Sequence, residues 1–157
     1  MIEFITPAEV RAIAFTDGEY VASECIAPCD IAAATERWVV PVVGRVLLEA
    51  VAEGRYAELK EEYLKPVIAL YTRLLVQPCL NASTSQLGLS VSSTSARRAA
   101  DSKAREELQR ALRQRAHFLK LRLSDYLNDN ADAFEEYDAR KNILNSCRCD
   151  GGFVQIR

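Results

Sequence analysis

From Pro66 to Leu80 the chain is apolar on nearly every face, and such a segment has one stable home in a water-soluble fold. Val67, Ile68, Ala69, Leu70 and Tyr71 are followed by Leu74, Leu75, Val76, Cys79 and Leu80, so a helix drawn through them has no broad polar side. A helix of that kind belongs at the centre, with other helices packed around it. Pro78 is expected to end it near Val76 or Gln77, because a ring nitrogen cannot donate to the preceding turn. Arg73 cuts this apolar run, and Arg45 and Glu49 cut the one from Trp38. Neither run reaches the roughly 20 residues that a membrane span requires.

Proline and glycine punctuate the chain before that helix. Thr6-Pro7-Ala8-Glu9 spells a capping box with proline at the first helical position, opening a helix from Pro7 to about Phe15. Asp17-Gly18 reads as a turn, and Pro28-Cys29-Asp30 as the entry to a second helix with Asp30 as its N-cap. Pro41 is expected to kink or end that helix, and Gly44 behind it to allow tight packing against a neighbour. Residues 30 to 80 thus read as helix, break, helix, break, helix: Asp30 to Trp38, a Val39-to-Gly44 break, Arg45 to Glu53, a Gly54-Arg55-Tyr56 break, then Leu64-Lys65-Pro66 and the apolar helix.

Beyond Leu80 the character changes. Asn81 to Ser95 contains eight Ser or Thr in fifteen residues, around the alternation Leu87, Leu89, Val91; this is an extended arm or hairpin, or else a mobile loop. A single helix from Ala96 to about Asn130 follows, roughly 50 Å long. Its apolar stripe is Ala104, Leu108, Ala111, Leu112, Ala116, Leu119, Leu123 and Tyr126, with Lys103, Arg110, Arg113, His117 and Lys120 opposite. Between Ala96 and Asp125, nine Lys or Arg oppose four Asp or Glu, a net +5, whereas residues 1 to 95 carry −5. With Leu108 as zero, Arg115 and Arg122 fall at about −20° and −40°, inside the apolar arc. A buried guanidinium without a partner is costly, so each is expected to face a carboxylate of the acidic half or of a neighbouring subunit, or to snorkel past the helix edge. The tail leaves helix at Cys147, and Phe153, Val154 and Ile156 can form a short strand with no obvious partner in a helical bundle. Such a strand is either an arm that augments another chain or a frayed terminus.

These features describe one all-α domain, residues 1–157: a helical bundle with a long helix in its C-terminal half, an extended Ser/Thr-rich loop over 81–95 and a short extended tail over 146–157. Chemistry is poorly provided for. The five cysteines lack zinc-ligand spacing and are expected to be reduced thiols; His117, the single histidine, has no nucleophile or carboxylate at a motif spacing. Gly151-Gly152 carries no phosphate-loop fingerprint. No catalytic residue, metal or cofactor is therefore expected. The N-terminus has neither a basic n-region nor a cleavable apolar segment, which points to a protein kept in a cytoplasm. The basic face of the long helix attracts phosphate in principle, but aromatics are not interleaved with it as stacking platforms would require.

The helix and break pattern of residues 30 to 80, followed by a Ser/Thr-rich loop, one long charged helix and a Gly-Gly tail, resembles the small all-helical head-tail connector proteins of tailed bacteriophages and prophages. That resemblance implies a cyclic homo-oligomer bound to a portal protein on one side and a tail-side completion protein on the other, formed in the host cytoplasm and retained at the virion head-tail junction. It implies no membrane partner and no sequence-specific nucleic acid. The Ser/Thr loop (Leu87, Leu89, Val91) and the tail (Phe153, Val154, Ile156) become contact arms, with Arg110, Arg113, Arg115 and Arg122 on the subunit or partner interface. The competing reading is a cytoplasmic helical binding module or regulator that lays the basic helix on nucleic acid; an unrecognised enzyme is a third.

Overall fold

The computed structural model describes residues 4–16, 19, 21–81, 83–85, 88–90, 101–146, 149–150 and 153–154, and the fold is all-α. Helix α1 (Pro7–Ala14) opens on the expected capping box: the Glu9 N–H donates to Thr6 Oγ1 at 3.3 Å, and the Thr6 N–H donates to Glu9 Oε2 at 2.8 Å. Helix α2 (Pro28–Ala34) starts three residues earlier than the sequence suggests. Ala27 is its N-cap, and Asp30, expected in that role, stands at the third helical position, where its carboxylate accepts the Ala27 N–H at 3.3 Å. Pro28 at the first position sets the boundary, since its missing N–H costs nothing there. The Asp17-Gly18 turn lies outside the described residues.

The prolines expected to break helices do not. A π-helical turn, Thr35–Val39, joins α2 to α3 (Val40–Val43), so the helical run passes through Pro41. A second π-helical turn, Leu59–Leu64, leads into α5 (Lys65–Asn81) and through Pro66. Each π turn ends two residues before its proline. The wider turn moves the carbonyl that the pyrrolidine ring would strike, which is how a helix absorbs a proline without ending. Pro78 lies inside α5 as well; it stands in the last turn, where one forgone bond does not stop the three remaining residues. The real breaks are left-handed. Gly44 (φ 85°) separates α3 from α4 (Arg45–Ala52), and a Cβ there would meet nothing within 4 Å, so backbone conformation and not close packing requires glycine. Gly54 (φ 96°) and Tyr56 (φ 57°) turn the chain after α4. The Tyr56 conformation is held by its hydroxyl, which donates to Glu136 Oε2 at 2.9 Å, and by its ring packed edge-on to Phe134.

Helix α5 is central, packed on α1, α2 and the long helix α6 (Ser102–Asp129). Val67, Ile68, Ala69, Leu70 and Tyr71 are all buried against Val10, Ile31, Leu47, Val51, Leu123 and Leu127. Arg73, which the sequence presents as an interruption of the apolar run, is buried too. It donates to the Ala14 carbonyl and through two nitrogens to the Glu19 carboxylate, and its guanidinium lies 4.4 Å from the centre of the Phe15 ring.

A second ion pair ties α1 to this core. Lys65 Nζ sits 2.7 Å from Glu9 Oε1 and 2.7 Å from Glu61 Oε2. The Lys65 ammonium, followed by the Thr6 N–H and hydroxyl, holds the Glu9 carboxyl at about 2, against an ordinary 4.5. A carboxyl lowered in the folded state contributes stability above its unfolded pKa and loses that contribution as pH falls through the folded one. Thermal melts are therefore expected to lose midpoint between pH 4.5 and about 2, and Glu9→Gln to flatten that slope. The carboxylate is 40% exposed, so the difference is small, below about 1 kcal/mol. Identical slopes in the two proteins would remove Glu9 from the acid response.

Candidate partner-binding surfaces

Helix α6 begins at Ser102, not at Ala96, and Asp101 is its N-cap: Oδ1 accepts the Ala104 N–H at 2.8 Å. Only its later part packs on the bundle. Leu112, Ala116, Leu123 and Leu127 are buried and Leu119 and Tyr126 half-buried, whereas no side chain of residues 102–111 is buried. Ala104, Leu108 and Ala111, assigned to the core stripe from their spacing, are exposed. Their inclusion displaced the centre of the arc. Measured from Leu112, the residues on the core span about −40° to +60°, and Arg115 and Arg122 lie at about −60° and −80°, on the rim.

Both arginines are exposed accordingly, and neither forms an ion pair among the described residues; their expected carboxylate partners are not in this chain's described part. Arg122 instead lies 5.0 Å from the centre of the Tyr63 ring, which stacks on Tyr126 at 3.9 Å. Between them on the same side stands Phe118, 66% exposed.

The other flank of α6 closes a groove of about 660 Å³. Arg113, His117 and Lys120 of α6 face Arg37 and Trp38 of the first π turn and Tyr71 and Leu74 of α5, and among the described residues no carboxylate lines the groove. Trp38 and Tyr71 stack with centroids 4.6 Å apart and planes 11° from parallel. Arg37 covers the Trp38 ring at 4.9 Å, and Lys120 Nζ stands 6.0 Å from the Tyr71 ring. Burial pushes the Tyr71 hydroxyl up to about 12, so it stays a neutral donor at any physiological pH. The groove thus combines fixed positive charge with an aromatic floor and can receive an acidic side chain or phosphate. Sequence reasoning missed it, because the aromatics come from elements more than thirty residues away from the basic helix. Of the four arginines expected at an interface, Arg113 lines this groove, Arg110 is exposed on α6, and Arg115 and Arg122 occupy the outer rim.

The Ser/Thr-rich stretch contains an antiparallel hairpin, β1 (Ser83–Ser85) with β2 (Gly88–Ser90), in which Leu89 pairs with Thr84. The tail forms another, β3 (Cys149–Asp150) with β4 (Phe153–Val154). The partner strand for Phe153 and Val154, absent from the sequence reading, lies within the tail itself, four residues upstream across the Gly-Gly step. Leu87, Val91 and Ile156 lie outside the described residues. Helix ends well before Cys147: α6 stops at Asp129, and the segment to Ser146 folds back in turns. A buried amide fastens it. Asn142 Nδ2 donates to Ser124 Oγ at 2.9 Å, its Oδ1 accepts the Leu144 N–H, and the Ile143 N–H donates to the Pro41 carbonyl at 3.0 Å. Asn145 and Asn128 exchange side-chain hydrogen bonds alongside.

Cys25, Cys29 and Cys79 are free and exposed. Among the described residues no cluster of His, Cys, Asp or Glu could hold a metal ion, and no helix is long and apolar enough to cross a membrane. No curated protein and no solved structure gives a significant match to the chain. Residues 45–145, more than half of the chain, match a family of unknown function, DUF6712, and the chain belongs to that family.

Proposed function

We propose that this member of the DUF6712 family is a structural assembly protein, a head-tail connector or adaptor of a tailed phage or prophage, repeated in a ring between the portal and a tail-side protein. The observation that carries the reading is the long helix: of residues 102–111 of α6 only Arg105 and Gln109 are even half-buried, yet the segment is capped by Asp101 and leaves Ala104, Leu108 and Ala111 exposed. A helix end that a chain maintains without packing it is a surface for another protein. The hairpins of β1 with β2 and of β3 with β4 stand at the sequence positions where connector arms are expected, and each is a two-stranded sheet whose outer edges pair with no further strand among the described residues, as strand addition requires. The role needs no catalytic group and no cofactor. The sites of action follow from it: the host cytoplasm during assembly, then the head-tail junction of the particle.

The test is to mix the protein with the portal encoded by the same genome and image the product by electron microscopy, beside a variant ending at Asn145. That variant keeps the Asn142 and Asn145 bonds that fasten the last segment, so its body stays intact. Full-length protein is expected to add a ring of density to the portal. Bare portals would end the connector assignment, and equal decoration by the shortened form would end only the role of the tail.

A second reading, a nucleic-acid-binding regulator, is favoured by the cationic groove. Against it, the Trp38 ring already stacks on Tyr71 and carries the Arg37 guanidinium 4.9 Å from its centre, contacts with which a base would have to compete. A DNA-binding titration separates the two: binding that weakens steeply with salt supports the regulator.

A further inference from the structure

Among the described residues two large apolar side chains are far more exposed than the rest, Phe118 at 66% and Val46 at 62%. They stand on helices of opposite character. Phe118 shares the outer face of α6 with Arg115 three residues before it and Arg122 four after it, and Leu108 and Ala111 extend the same strip towards the free end of the helix; all five are exposed. The strip repeats in steps of four and three, the spacing of a seam that receives a partner helix. Val46 shares the outer face of α4 with Glu49 three residues on and Glu53 seven on, again exposed. Glu53 is engaged by Arg55, which leaves Glu49 as the carboxylate beside Val46 that pairs with no cation among the described residues.

We infer that these faces are the two halves of one contact between copies of this chain: Phe118 and Arg115 of one subunit pack on Val46 and Glu49 of the next. The occupant follows from complementarity, since Arg115 beside Phe118 and Glu49 beside Val46 are opposite charges that each form no ion pair among the described residues. Contact between unlike faces is head to tail, the kind that propagates and closes into a ring. The inference rests on the connector reading for its role and specifies the wall contact which that reading requires. Arg115 also gains here, from Glu49, the carboxylate that the described residues of its own chain do not offer.

Photocross-linking tests this on the full chain alone. A benzophenone analogue of phenylalanine replaces Phe118 in an isotopically heavy copy, which keeps the aromatic group and marks the donor; it is mixed with light wild-type protein at millimolar concentration and irradiated. Adducts between copies are expected to map to residues 45–53. Arg115→Glu in the donor should lower their yield about tenfold, and Glu49→Arg in the recipient should restore it, since reversing both charges recreates the pair. No adduct between copies, adducts mapped elsewhere, or a yield unaffected by Arg115→Glu would each overturn the inference. Portal imaging fails or succeeds independently: subunits joined through 118 and 45–53 that never decorate a portal would leave this contact standing and remove the connector role.

Discussion

Arg73→Ala is expected to be among the most destabilising single changes in this protein, costing about 3 to 5 kcal/mol. The guanidinium is 6% exposed and serves four groups at once: the Ala14 carbonyl at the end of α1, both Glu19 oxygens, Gln77 Oε1 at 3.3 Å and the Phe15 ring. Alanine would leave the carbonyl without its donor, the carboxylate without its cation and a cavity beneath Phe15. Arg73→Met refills much of the space but restores no hydrogen bond, so about 1 to 3 kcal/mol should remain lost. Glu19 gives a pH signature. Burial pushes its carboxyl up, but hydrogen bonds from Arg73 and from Thr16 outweigh that and hold it below the ordinary value. Its contribution is therefore present above the unfolded carboxyl pKa and disappears as acid protonates it, and Arg73→Met should lose that part of the acid sensitivity. Urea melts at neutral and acid pH read both effects. A wild-type midpoint for Arg73→Met at neutral pH would show that the ion pair adds no net stability over apolar packing.

Leu70→Ala is the other large effect, about 2 to 5 kcal/mol from lost burial and the cavity left behind. Leu70 lies in the middle of α5, fully enclosed where α1, α2 and α6 converge, so there is little room to collapse into the space. Because α5 touches most of the bundle, the denaturant dependence should stay cooperative and shift as a whole. A change below about 0.5 kcal/mol, the range of surface positions, would contradict the central placement of this helix.

What could be read from the sequence was what depends on near neighbours along the chain. The Thr6 to Glu9 capping box, the central place of the apolar helix and an extended element around Leu89 are local patterns, and the fold contains each. The errors share a different cause. Arg73 was read as a polar break because its partners, Ala14 and Glu19, lie more than fifty residues away. The stripe of α6 runs through Leu108 and Ala111 in the sequence because spacing alone does not tell a face that meets a core from one left exposed. Pro41 and Pro78 read as stops because the rule that proline ends a helix assumes uniform winding, and Pro66, expected to open the apolar helix, lies within a helical run that begins before it. The groove of Arg37, Trp38, Tyr71, Arg113 and Lys120 gathers three separate elements, and no window along the chain contains it.

The π turns at Thr35–Val39 and Leu59–Leu64 bear on how this chain tolerates changes of length. A π turn stores about one residue more than an α turn over the same rise. Removing one residue from 59–64 would let that turn rewind as α with the faces on either side of it kept in register. The reserve is usable only together with its proline, since an α turn there would bring the Pro66 ring back against the carbonyl of Glu62. Replacing the proline should thus rescue a single-residue deletion at these two points, an interdependence between chain length and composition that neither change reveals alone.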